Sequence, residues 1–97
     1  MKKDTAKQFG EIVEYCLNIF ENKQKDYNTA WRILRTSSLT DQIYIKANRI
    51  RSIQLKGVSK VDEGIIPEFV GIVNYSVMAL IQLKLGVAEE ADLNAEE

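Results

Sequence analysis

The residues able to do chemistry crowd into two stretches of this chain, 26–51 and 63–74. The first holds Asp26, Tyr27, Trp31, Arg32, Asp41, Lys46 and Arg49; the second holds Glu63, Glu68 and Asn74. Lys46 and Arg49 are three apart, so on a helix they share a face. That face lies beside an apolar stripe of Ile43, Ala47 and Ile50, from which two cationic heads could reach a cleft. Asp62 and Glu63 precede a predicted helix start and could bind a hydrated Mg²⁺, which takes one or two carboxylates plus phosphates. Tyr27 or Trp31 could stack on a base. Each candidate also has a structural reading. Glu68 fits a first-turn carboxylate favoured by the helix dipole, Asn74 an interhelical hydrogen bond, and Asp41 a helix cap. Lys46 and Arg49 fit solvated cations with their stems on apolar surface, and Trp31 fits a core residue.

Composition narrows the classes. Ninety-seven residues with 45% hydrophobic and 28% charged content fit one small soluble domain. A net charge of −1 gives no global signature for nucleic acid or membrane. The charge is uneven, because residues 23–60 carry nine bases against two acids, a local excess of +7 that can attract phosphate. With no His and one Cys, His-based triads and zinc sites are excluded. The single Cys16 falls within an apolar stripe and reads as packing. The first residues lead into an amphipathic pattern, so no signal peptide and a cytoplasmic location are expected.

The elements that must position these residues are helical. Phe9, Ile12, Val13, Cys16, Leu17 and Phe20 form one stripe of a predicted helix over 5–22, with Thr5 and Gln8 at capping-box spacing. KQKDYN, at 23–28, breaks the pattern. A short helix over 30–35 presents Trp31 and Leu34. A third helix spans 39–56, capped by Ser38 and Asp41 and stopped by Gly57. A polar loop, 58–64, leads to a fourth helix over 67–86, starting at Pro67. Its apolar residues cover nearly the whole circumference, which predicts a bundle centre or an oligomer interface. Pro67, Glu68, Asn74, Gln82 and Lys84 interrupt the apolar run and make it a poor membrane span. The expectation is an all-α bundle of three or four helices over residues 1–86, a homodimer through the last helix, and an acidic tail or linker at 87–97.

Ordered blocks then resemble a known family. Lys23-x-x-Asp26-Tyr27, Ala30-Trp31-Arg32, Ser38-x-Thr40-Asp41-Gln42, Ile45-Lys46-Ala47-x-Arg49-Ile50-Arg51 and Glu63-Gly64-x-x-Pro67-Glu68-Phe69-x-Gly71-Ile72-Val73-Asn74-Tyr75 resemble the nucleotide modification associated domain 1 family over roughly residues 9–86. That family is associated by context with nucleotide and DNA-base modification. The chain is also distantly similar to the MazG-like all-α nucleoside triphosphate pyrophosphohydrolases, dimeric bundles that bind Mg²⁺ through E-x-x-E and E-x-x-D motifs. Glu68-x-x-Gly71 occupies the second spacing with glycine in place of the carboxylate, and Glu11-x-x-Glu14 fits the first by spacing. The resemblance implies a nucleotide-binding domain, with Lys46, Arg49 and Arg32 on phosphates, Tyr27 or Trp31 on the base, and Asp26 and Asn74 beside the substrate. Asp41 and Glu68 would act on water, and Glu63 and Glu68 would hold Mg²⁺. It further implies pairing with a second copy of the domain. The rival reading is a non-catalytic helical dimerisation domain.

Overall fold

The computed structural model describes residues 4–27, 30–57 and 61–86. They form α1 (Thr5–Tyr27), a 3-10 turn (Ala30–Ile33), α2 (Thr36–Lys56) and α3 (Val61–Leu85), with no strand among the described residues. The all-α expectation holds. The residues of the acidic tail and of the 58–60 linker lie outside the described set.

The helix ends obey local chemistry that apolar periodicity does not report. Asp4 rather than Thr5 caps α1: its Oδ1 accepts the Lys7 N–H at 3.0 Å, and its carbonyl accepts the Gln8 N–H at 3.1 Å. The helix then runs through Tyr27 instead of stopping near residue 22. Lys and Gln are good helix formers, so losing an apolar partner does not end the hydrogen-bond ladder. The predicted short helix over 30–35 is a single 3-10 turn, Ala30–Ile33. α2 starts at Thr36, three residues before the expected start, from an extended Arg35 at φ −65° and ψ 155°. The Ser38–Asp41 capping box is therefore not the helix start.

The predicted stops do hold. Gly57 and Gly86 take the left-handed conformation at φ 61° and 73°, and their N–H groups bond the Gln54 and Leu83 carbonyls.

α3 departs most from expectation, because it begins at Val61 and takes Pro67 inside. Proline there removes the donor that the Glu63 carbonyl would accept. Both residues are exposed, so water can serve that carbonyl.

α2 and α3 form an antiparallel hairpin. Lys46 lies against Gly71, Arg49 against Glu68, and Ile53 against Gly64. Each step along α2 is matched by an equal step back along α3. Two glycines seven apart on α3 make this approach close: a Cβ at Gly64 would lie 3.4 Å from Ile53 Cδ1. α3 is also the helix on which α1 and the 3-10 turn rest.

Polar groups make those two attachments. Asn74 Nδ2 donates to the Cys16 carbonyl at 3.0 Å. Gln82, with 0% exposure, donates its Nε2 to the carbonyls of both Arg32 and Leu34. Two acceptors facing the amide fix which end is nitrogen. That leaves Gln82 Oε1 buried with no partner.

The enclosed core is small. Cys16, Leu39, Ile50 and Val70 are its buried apolar side chains among the described residues. The stripe on α1 is mostly uncovered, since Phe9, Ile12, Val13 and Leu17 are exposed. The radius of gyration, 15.9 Å, exceeds the roughly 13 Å of a compact domain of this length. A window of 18 residues within Glu63–Leu85 has a mean hydropathy of 1.6, so by length and composition alone this helix is long and apolar enough to cross a membrane. Its interrupting groups Glu68, Asn74 and Gln82 all bond to neighbouring elements of the fold.

Two outcomes follow. Gln82→Ala would release the 3-10 turn, leave two carbonyls unserved and lower stability by about 2–3 kcal/mol in urea denaturation; a loss below about 0.5 kcal/mol would contradict the anchoring role. Burial raises the pKa of the Cys16 thiol. The folded state therefore keeps its proton where the unfolded chain loses it. This contribution is complete below the ordinary thiol pKa of about 8.5 and is lost as pH rises beyond it. Cys16→Ala should flatten that alkaline loss, and Ellman's reagent should label the intact chain only as fast as it opens.

Candidate functional site

The hairpin brings three sequence candidates into one cluster. Glu68 Oε1 accepts from Arg49 Nη1 at 3.2 Å, and its Oε2 lies 3.7 Å from Lys46 Nζ. The side chains of Glu68 and Lys46 are 14% and 17% exposed, whereas Arg49 is 60% exposed. One carboxylate thus meets two cations, and both of its oxygens are engaged. The Lys46 ammonium also lies 5.8 Å from the centre of the Tyr75 ring.

Gly71 makes this arrangement possible. A Cβ there would fall 2.5 Å from Lys46 Cε, 2.6 Å from Cδ and 3.0 Å from Nζ. The lysine crosses α3 through the space that any side chain at 71 would fill. The glycine that interrupts the E-x-x-D spacing is the seat of a lysine.

Beyond this crossing opens a cleft of about 760 Å³ between α1, the 3-10 turn and α3. Tyr15 and Phe20 from α1, Trp31 from the turn and Tyr75 from α3 give it aromatic walls, and Lys23 and Lys46 bring ammonium groups. Phe20 and Trp31 meet edge to face, 6.1 Å between centres, and the Arg32 guanidinium sits 4.5 Å over the Trp31 ring. Trp31 Nε1 is shielded from solvent and has no acceptor. A donor in that state costs about 1–3 kcal/mol. Asn74 lines the same cleft, with its amide nitrogen on the Cys16 carbonyl. A second, more open groove of about 580 Å³ runs along α2 and α3 past Arg49, Lys56 and Glu68.

The other candidates are not gathered in. Asp41 is exposed on α2, in its second turn. Glu63 is exposed on α3, five positions before Glu68 and so about 140° around the helix from it. Arg32 is exposed and engaged with Trp31. The side chains of Asp26 and Tyr27 lie outside the described residues. Among the described residues no group of three or more acids or thiols could hold a metal ion. Glu63 and Glu68, the expected Mg²⁺ ligands, thus do not share a face of α3.

Sequence reasoning overlooked Tyr15, Phe20, Lys23, Tyr75 and the tie made by Gln82. A signal was present: Glu68, Gly71, Tyr75, Met78 and Gln82 recur at heptad spacing on one face of α3. The polar members of that line mark the face turned to the rest of the fold.

Gly71→Ala tests the crossing. The added Cβ would meet the flexible end of Lys46 rather than backbone. A gain of about 1 kcal/mol in helix propensity offsets the loss of the 3.7 Å contact from Lys46 to Glu68, which keeps its hydrogen bond from Arg49. The melting temperature should move by less than about 4 °C, while Lys46 becomes more reactive to acetylating reagents. A drop beyond about 10 °C would mean that the helices themselves had been forced apart.

Neither a curated protein nor a solved structure matches the chain. A family match spans residues 23–83, which takes in the end of α1, the 3-10 turn, α2, nearly all of α3, and Lys23, Trp31, Lys46, Arg49, Glu68, Gly71 and Tyr75 of the cleft and its ion cluster. With well over half its length matched, the chain belongs to the nucleotide modification associated domain 1 family.

Proposed function

We propose that the cleft between α1, the 3-10 turn and α3 binds a nucleotide. The observation that carries this reading is the Lys46 ammonium, brought over Gly71 into a pocket walled by Tyr15, Phe20, Trp31 and Tyr75. Aromatic faces accept a base by stacking, and Lys46 with Lys23 supplies positive charge for a phosphate tail. Arg49 reaches Lys46's counter-ion, Glu68, from the outer groove and adds to the same field. The family name, nucleotide modification associated domain 1, agrees with this class of ligand. The activity to test is cleavage of a nucleoside triphosphate with release of pyrophosphate, as in the MazG-like enzymes.

A thermal-shift screen of nucleoside mono-, di- and triphosphates tests binding. A ligand at 100 times its Kd adds about 2.7 kcal/mol, a rise on the order of 10 °C for a domain of this size. Lys46→Met should abolish most of that rise. No shift with any nucleotide would remove the reading.

A specific feature favours a second property, pairing with another copy of this chain. Ile66, Phe69, Val73, Ser76, Leu80 and Leu83 follow alternating three- and four-residue steps along one side of α3. Ile66, Phe69, Leu80 and Leu83 are 48–65% exposed. An a/d seam of this kind packs best against a helix of like spacing, and a second α3 offers that surface under two-fold symmetry. Sedimentation should give a dimer at micromolar concentration, and Leu80→Glu should dissociate it. A monomer at tens of micromolar, or recovery of the chain in the membrane fraction, would contradict this pairing.

A further inference from the structure

We infer that the anionic end of the ligand in this cleft is held by the Lys46 ammonium in place of a divalent cation. This rests on the nucleotide reading and specifies its chemistry. Two observations carry it. The space above Gly71 is filled by Lys46, whose Cδ, Cε and Nζ would all lie within 3.0 Å of a Cβ at that position. Glu68, the carboxylate nearest that ammonium, has one oxygen on Arg49 at 3.2 Å and the other 3.7 Å from Lys46.

Mg²⁺ needs near-octahedral oxygen ligands. Here it would meet a single carboxylate already shared by two cations, with an ammonium at the same spot. Lys46 and Arg49 against Glu68 leave one net positive charge, and Lys23 adds another at the cleft. Lys46 keeps N–H donors beyond its long contact to Glu68. A phosphate oxygen arriving in the cleft would complete the ammonium's hydrogen bonds, and Glu68 would hold the lysine in place across α3.

Calorimetric titration of the intact chain with a nucleoside triphosphate, and with tripolyphosphate as the base-free probe, separates the cases. In EDTA the Kd should match that in Mg²⁺ within about threefold. Gly71→Ala, which evicts Lys46 without adding charge, should weaken binding at least tenfold in both buffers while the far-ultraviolet spectrum stays helical. Gly71→Asp, which evicts Lys46 and restores a second carboxylate, should lose binding in EDTA. Binding by the unaltered chain only in Mg²⁺ would overturn the inference and leave the nucleotide reading intact. No binding in either buffer would remove both. Unchanged affinity in Gly71→Ala would also overturn the inference, because the ligand would then not depend on the seated lysine.

Discussion

The fold turns on one crossing. Lys46 packs onto α3 at Gly71 and reaches Glu68 one turn back along the same helix. Only glycine leaves that passage open, and only an antiparallel hairpin in this register brings the two positions together. The same approach, continued at Gly64 against Ile53, sets how closely α2 and α3 lie. A partly buried lysine needs its counter-ion, because removing charge from water without a partner is costly. Lys46 and Glu68 thus justify each other, and Arg49 takes the remaining carboxylate oxygen.

From this hairpin the other elements follow. α3 is the shared support: α1 hangs on it through Asn74 and Cys16, and the 3-10 turn through Gln82. These ties are side chain to backbone, and they hold two sides of a cleft that Val70, Gly71 and Tyr75 of α3 also line. Few apolar side chains among the described residues are fully enclosed. Polar anchoring therefore has a large share in the placement of the cleft, and the seam on α3 is left for a partner.

The sequence made some of this legible and hid the rest for identifiable reasons. Helical class, the Gly57 and Gly86 stops and the shared face of Lys46 and Arg49 follow from periodicity and glycine chemistry alone. An amide in an apolar helix also points to the interhelical hydrogen bond that Asn74 makes. α3 starts six residues before Pro67, because proline tolerates an exposed position beyond the first turn when water can serve the freed carbonyl. The α1 stripe follows from periodicity, yet Phe9, Ile12 and Val13 stand exposed, since periodicity shows that a face is apolar and not what covers it. Asp41 and Glu63 looked like partners of Glu68 because spacing along a chain does not give angle around a helix. Gly71 read as a missing carboxylate; its role as a seat for lysine depends on a residue twenty-five positions away.

The chain has one tryptophan, so its indole N–H gives a single resolved signal in a ¹⁵N–¹H correlation spectrum. Trp31 lines the cleft and its Nε1 has no acceptor. Titration with a nucleoside triphosphate is therefore the most direct test of where the ligand lies. The account predicts that the indole signal moves in a saturable way, together with the backbone amides of Gly71 and Tyr75. A saturable response elsewhere, with the indole and these amides unmoved, would contradict it.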